Sequence, residues 1–266
     1  MKILISNDDG VHAEGIHALA HVFARAGKTV VVAPEKEKST TGHSLTLHKP
    51  VRIHEYSKKI YSVSGGPADC IYIGIHEVLK ARPDIVISGI NRGANLGQDV
   101  FYSGTVSAAR EAVIMGIPAI AVSLCLDHAK KNQKKHYDTA ARATQHVLKE
   151  LLRIFSLGKS EKAGLKAWPK GLLMNINVPN LPYNKIKGFK ISTQGRQIYT
   201  GDVAKRIDSR GRKYYWIGGT YQGYEKTPGT DCFNVGQGYV AITPLELDTT
   251  MKDVHHHLEN KFQLKK

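Results

Sequence analysis

The chain of 266 residues is poor in cysteine, in acidic charge and in long apolar runs. Its three cysteines, Cys70, Cys125 and Cys232, are widely spaced, odd in number and without a CxxC pair. Neither a disulfide framework nor a zinc site is indicated, and buried, idle thiols are expected. No apolar run approaches the roughly 18 residues of a membrane-spanning helix, which excludes a transmembrane protein. The opening Met1-Lys2-Ile3-Leu4-Ile5-Ser6 passes directly into Asn7-Asp8-Asp9-Gly10 and leaves no room for a signal peptide, so a cytoplasmic protein is expected. Repeats and low-complexity tracts are also missing.

The acidic shortage, 23 Asp+Glu against 38 Lys+Arg, gives a formal charge of +15. Such a field favours anionic partners. The lysines are dispersed except at Lys130-Lys131, Lys134-Lys135 and Lys265-Lys266. A positive field serves a phosphate ester, a nucleic acid or plain solubility equally, so charge alone does not choose among them. The length suits one large α/β domain, or a core with an appended subdomain, folding without covalent staples.

Lys2 to Ser6 reads as a strand buried on both faces and ends at the turn-forming Asn7-Asp8-Asp9-Gly10. Gly15 to Ala26 carries Ile16, Leu19, Ala20 and Phe23 at helical spacing, with Gly27 as a stop, and Thr29 to Ala33 is a second strand before Pro34. This is a βαβ unit whose strands should be parallel neighbours, and ligands bind such sheets beyond the carboxyl ends of the strands. Downstream, a helix over Ala68 to Ala81 precedes a strand over Asp84 to Ser88 and a Gly-Asn loop over Gly89 to Gly97. A helix over Ser107 to Met115, a strand over Ala119 to Ser123 and a long amphipathic helix over Tyr137 to Ile154 follow. After a loop over Leu157 to Lys170 and a strand over Leu172 to Val178, Phe189 to Gly238 turns rich in Gly, Tyr and Thr and suggests hairpins. A last helix is expected within Met251 to Leu264. The architecture expected is a Rossmann-like, mostly parallel sheet with helices on both faces as a core over residues 1–180. A hairpin-bearing C-terminal region over 181–266 completes it.

Asp8 and Asp9 place two carboxylates in one sharp turn, where they need a shared cation or several hydrogen-bond donors. A hard, oxygen-seeking ion such as Mg²⁺ or Mn²⁺ meets that need, while a helix cap would need only one of them. The loop Pro34 to Ser44 contributes hydroxyls beside this turn, and Ser88 to Gly97 adds neutral oxygen ligands. Tyr102-Ser103-Gly104-Thr105 opens a helix, where free N–H groups, two hydroxyls and the helix dipole favour a phosphate. Taken alone, that opening is more simply read as an ordinary Ser/Thr cap.

Several runs together carry a resemblance. Ile5-Ser6-Asn7-Asp8-Asp9-Gly10, Val32 to Ser39 with Thr41-Gly42-His43-Ser44, Gly65 to Cys70, Ser88 to Gly97 and Tyr102 to Val106 resemble the SurE nucleotidases in sequence and in order. So do Tyr214 to Ile217, Thr230 to Phe233 and Gly238 to Leu245. The resemblance covers nearly the whole chain. It implies a Rossmann-like core with one divalent ion, Mg²⁺ or Mn²⁺, on Asp8, Asp9, Ser39 and Asn91. It further implies phosphate contacts from Asn95, Ser103, Gly104 and Thr105, and hydrolysis of nucleoside 5′- and 3′-monophosphates, extending to short polyphosphate. Asp8 and Asp9 would be the catalytic carboxylates, acting on a water nucleophile, with an aspartyl-phosphate route left open. It also implies a homodimer or homotetramer that exchanges a hairpin drawn from Phe189 to Gly219. Ala94 departs from the Pro common in relatives, and Leu157 to Lys170 is more basic than usual.

Other functions fit less well. A dinucleotide-binding dehydrogenase requires a Gly-rich turn where Asp8 and Asp9 would repel a pyrophosphate. Haloacid-dehalogenase-like phosphatases use an Asp-x-Asp spacing. A nucleic-acid module would explain the charge but not the paired carboxylates, so no specific nucleic-acid binding is expected.

Overall fold

The structure is a computed structural model describing residues 1–127, 130 and 132–261. Strands β1 (Lys2–Ser6) and β2 (Lys28–Pro34) flank helix α1 (Glu14–Phe23) and pair in parallel, as the βαβ reading requires. Next come β3 (Ile53–Ser57) and β4 (Ile60–Val63), which the sequence reading did not anticipate. Helix α2 (Pro67–Ile73) continues as a π-helical segment to Leu79. Strand β5 (Ile85–Arg92), α3 (Gly104–Ile114), β6 (Ala119–Cys125), α4 (Tyr137–Phe155), α5 (Glu161–Lys166) and β7 (Leu172–Pro179) complete the repeating pattern. The remainder holds β8 (Phe189–Ile191), β9 (Gln197–Tyr199), β10 (Val203–Ile207), β11 (Lys213–Ile217) and β12 (Tyr221–Tyr224). It ends with α6 (Asp231–Gly236), β13 (Val240–Glu246) and α7 (Lys252–Lys261). The part of the expected last helix beyond Lys261, with Lys265-Lys266, lies outside the described residues, as does Lys131.

Nine strands form one sheet in the order β3-β4-β2-β1-β5-β6-β7-β13-β8. From β4 to β7 every neighbour is parallel; β3 and β13 each run antiparallel to the adjacent parallel strand. Helices cover both faces. Alternate residues of β1 divide between two cores: Ile3 and Ile5 pack with α1 and α4, whereas Leu4 packs with α2 and α3. All three are essentially solvent-free, which is why the strand reads as a continuous apolar run. No described helix is long and apolar enough to cross a membrane.

Several boundaries differ from expectation for identifiable reasons. Helix α1 ends at Phe23, and Gly27 is not its left-handed stop; a Cβ there would collide with the Met1 carbonyl, so the glycine serves close approach. Strand β5 runs four residues past Ser88, because a bulge between Ser88 and Asn91 lets it resume pairing with β6. The stretch 157–170 holds α5, started by Ser160, whose side chain accepts from the Ala163 N–H. The hairpin-rich reading of 189–238 is correct for β9 with β12 and for β10 with β11, but it hides α6. The expected boundary near residue 180 falls between β7 and β13, which pair within the main sheet.

Candidate active site

The chain leaves β1 toward β2 and β4 on one side and returns to β5 on the other, so the order of the sheet reverses between β1 and β5. A crevice outside the carboxyl ends of the strands is expected at that point. Asp8 and Asp9 follow β1 there, Ser39 follows β2, Asn91 ends β5, and α3 begins at the same end. Asp8, Asp9, Ser39, Asn91, Asn95 and Ser103 line one cleft of about 540 Å³. A larger groove of about 790 Å³ opens beside Asp84, Pro118 and Trp168, by the opposite ends of the strands. Asp84 is the one carboxylate among the described residues lining it, so the paired-carboxylate cleft is the better candidate.

The turn after β1 is held from within: Asn7 Nδ2 donates to the Gly10 carbonyl at 2.9 Å, and the Gly10 N–H donates to Asn7 Oδ1 at 3.2 Å. This brings Asp8 inward, where it is 4 % exposed, and leaves Asp9 partly open. Burial pushes the Asp8 carboxyl from its ordinary 3.8 to about 6; the Thr105 hydroxyl opposes this, and the neighbouring Asp9 charge adds to it. Asp9 is raised as well, chiefly by burial, while the Arg92 N–H donates to its Oδ2 at 3.0 Å and Glu37 repels it. Among the described residues, no cationic side chain lies within ion-pair distance of either carboxylate. The Arg92 charge acts on Asp9 from beyond ion-pair distance and does not offset burial, so two desolvated carboxylates with Ser39 and Asn91 oxygens in the same cleft fit a hard divalent cation. Asn91 Nδ2 donates to the Gly93 carbonyl at 2.9 Å, which turns its amide oxygen to the other side. Ser39 is exposed, and its Oγ donates to Glu37 at 2.6 Å.

The other four residues divide between two places. Ser103 lines the cleft and is the N-cap of α3, its Oγ accepting from the Val106 N–H at 3.0 Å. Asn95 is braced from several sides. Its N–H donates to Asn177 Oδ1 at 2.9 Å, its Nδ2 donates to Ser123 Oγ at 2.8 Å, and its carbonyl accepts from Asn175 and Asn177. Gly104 and Thr105 stand behind Asp8 and are absent from the cleft lining. Thr105, fully buried, gives its hydroxyl to Asp8 Oδ1, so the group expected to meet phosphate is engaged on the carboxylate.

The far wall comes from residues the sequence reading passed over. Asp99 accepts from the Tyr199 hydroxyl at 2.6 Å and from Gln197 Nε2. Gln98 and Gln197 are doubly bonded, at 2.7 Å and 3.0 Å. The partners in these pairs are nearly 100 residues apart, so no local spacing announces them. Asp231, in the short motif Thr230 to Phe233, is fully buried and accepts from the N–H groups of Gly97, Gly195 and Cys232 at 2.9, 2.7 and 2.7 Å. It ties the C-terminal region to the cleft wall. Cys125 and Cys232 carry thiols pushed far up by burial, as idle cysteines should.

The sequence profile described as Survival protein SurE matches residues 3–201. A protein from Geobacter sulfurreducens named 5'-nucleotidase SurE is 46% identical over 250 residues, covering 94% of this chain and 89% of its own. One of the same name from Geobacter metallireducens is 47% identical, with 94% and 93% covered. The crystal structure of the SurE protein from Aquifex aeolicus superposes with a TM-score of 0.81 at 38% identity, covering 97% of this chain and 98% of that one. With the fold, the motifs and near full-length similarity in agreement, the chain belongs to the SurE family.

Proposed function

We propose that this chain is a divalent-metal-dependent 5′-nucleotidase that hydrolyses nucleoside 5′-monophosphates to nucleoside and inorganic phosphate. The observation that carries the reading is the Asp8–Asp9 pair. Burial raises both carboxyls, they sit where the sheet order reverses, and no cationic side chain pairs with them among the described residues. Relatives named 5'-nucleotidase SurE support the substrate class. Asp8, Asp9, Ser39 and Asn91 would hold Mg²⁺ or Mn²⁺, which when bound supplies Lewis-acid charge to a phosphoryl oxygen.

The protein's own part is to bind, orient and move a proton. Ser103 and Asn95 flank the space in front of the carboxylates and suit the phosphoryl oxygens, with the start of α3 adding a favourable dipole. Asp9, the more open of the two, is placed to take the proton of an attacking water. Asp8 is anchored by Thr105 and keeps a fixed orientation. Tyr199 and Gln197 on the opposite wall define the room left for the nucleoside.

The β10–β11 hairpin forms a sheet of its own and exposes Tyr215, Trp216 and Ile217 at 56, 64 and 92 %. Such a surface supports a homodimer or homotetramer built through it. The test of activity is release of inorganic phosphate from a panel of nucleoside 5′- and 3′-monophosphates and short polyphosphate, with EDTA and with each metal. Release that is insensitive to EDTA, or absent for every nucleoside monophosphate, removes the reading.

A further inference from the structure

Between β2 and β3 the chain runs for 18 residues, 35–52, without regular structure, and Ser39 lies on this loop. Its conformation is not one a free chain would choose. Thr40, immediately after Ser39, has φ +55° and Gly42 has φ +60°. A β-branched residue in the left-handed region is an outlier that persists only where surrounding contacts fix it. Local bonds are modest: the Thr40 hydroxyl donates to the Ser39 carbonyl at 2.8 Å and that of Thr41 to the Lys38 carbonyl at 2.9 Å.

The long-range contacts lie on either side of this turn. Before it, the Lys38 N–H donates to the Asp8 carbonyl at 2.8 Å. After it, His43 Nε2 meets Glu111 Oε2 at 2.8 Å, and the Thr46 N–H and hydroxyl donate to the two oxygens of Asp69 at 2.8 and 2.7 Å. Glu111 is 5 % exposed and sits on α3, the helix that Ser103 caps and whose Gly104 packs against Asp8. The His43–Glu111 bond therefore ties the Ser39 loop to the same rigid element that positions Asp8. His43 itself does not line the cleft.

We infer that His43 is a positioning residue: through Glu111 it holds the loop in the strained turn that keeps Ser39 on the cleft lined by Asp8 and Asp9. Glu111 receives a donor it needs while buried, and the bond fixes the loop four residues from Ser39. This inference rests on the proposed metal site. A partner bonded directly to a metal ligand is worth roughly 10–100-fold in affinity, and His43 acts one contact further out, so a loss near the lower limit follows.

The experiment compares His43→Asn with His43→Gln in the full chain. The Gln amide reaches where Nε2 stands and still donates to Glu111, whereas the Asn amide is too short. Binding of Mn²⁺ is followed by calorimetry, with melting temperature measured alongside. The expected result is Mn²⁺ affinity lowered by roughly 10-fold in His43→Asn, and restored most of the way to wild type in His43→Gln. The Mn²⁺ concentration for half-maximal rate should rise in His43→Asn, with little change in kcat at saturating metal. Wild-type Mn²⁺ affinity in His43→Asn overturns the inference, as does an equal loss in both variants. Asp9→Asn is measured in parallel: if it binds Mn²⁺ normally, the metal-site reading fails, whereas a metal-blind Asp9→Asn beside a normal His43→Asn sinks only the role given to His43.

Discussion

Gly104 lies so close to Asp8 that a Cβ built on it would stand 2.7 Å from the Asp8 Cβ and 2.8 Å from Oδ2. The glycine is required by the carboxylate beside it. Gly104→Ala is expected to push Asp8 out of place and lower metal affinity and kcat/KM together by roughly 10-fold or more, since displacing a ligand costs at least what losing its hydrogen-bond partner does. An alanine enzyme that binds Mn²⁺ normally while its KM for nucleotide rises would show instead that the position matters only for substrate.

Asp8 also gives the metal-free protein a stability that depends on pH. Its carboxyl is raised from 3.8 to about 6, so the folded state holds the proton more tightly than the unfolded one. The resulting stability is fully present below the unfolded value and is lost as pH rises through about 6. Asp8→Asn keeps an acceptor for Thr105 and removes the buried charge. In EDTA above pH 6 it should be more stable than wild type by about 3 kcal/mol, with no catalysis. Denaturant titrations at several pH values check this; parallel curves for the two proteins across that window would contradict it.

Much of this was legible in sequence because it is local. Continuous apolar runs gave β1, β2 and β5 to β7, and a pair of carboxylates directly after β1 pointed to the crevice end of the sheet. What was hidden depends on contacts between distant segments. The far wall of the cleft joins Asp99 to Gln197 and Tyr199, and neither partner has a pattern of its own. Strand β3 is exposed along its whole length and so lacks the alternation that announces a strand. The Thr105 contact was not legible either, because a helix start offers its hydroxyl to phosphate or to a neighbouring side chain equally well. In the structure it donates to Asp8.

Thr105→Val keeps the shape and deletes the hydroxyl that lowers the Asp8 carboxyl. The Asp8 pKa should rise above about 6, so protons compete better for the site. Metal affinity is expected to fall more at pH 6 than at pH 8, and Thr105→Ser should behave as wild type. A pH-independent increase in nucleotide KM would return the hydroxyl to phosphate binding.

Asp231 accepts three backbone N–H groups while fully buried, and they belong to segments far apart in the chain. Asp231→Ala leaves those donors without a partner. Each hydrogen bond to a charged group contributes about 1.5–3 kcal/mol, so a loss of several kcal/mol is expected. Proteolysis near 193–197 should appear before global unfolding. A melting temperature unchanged by the substitution would show that water replaces the carboxylate at little cost.

The hairpin of β10 and β11 offers the cleanest separation of assembly from catalysis. Its base is closed by the Gly218 N–H donating to the Asp202 carbonyl at 3.0 Å, so the chain enters and leaves at one point. Phe189–Ile191 belongs to the main sheet, and Gln197 and Tyr199 line the cleft, so a cut across the whole of 189–219 would damage both. Removing 203–217 alone and joining the ends with a short Gly-Ser link spares them. The hairpin's apolar side chains, with Ile217 at 92 % exposure, join no core among the described residues, so their removal should not weaken the fold. Light scattering is expected to show a lower mass than the full chain at the same concentration, with metal binding retained. An unchanged mass would remove the hairpin as a subunit contact.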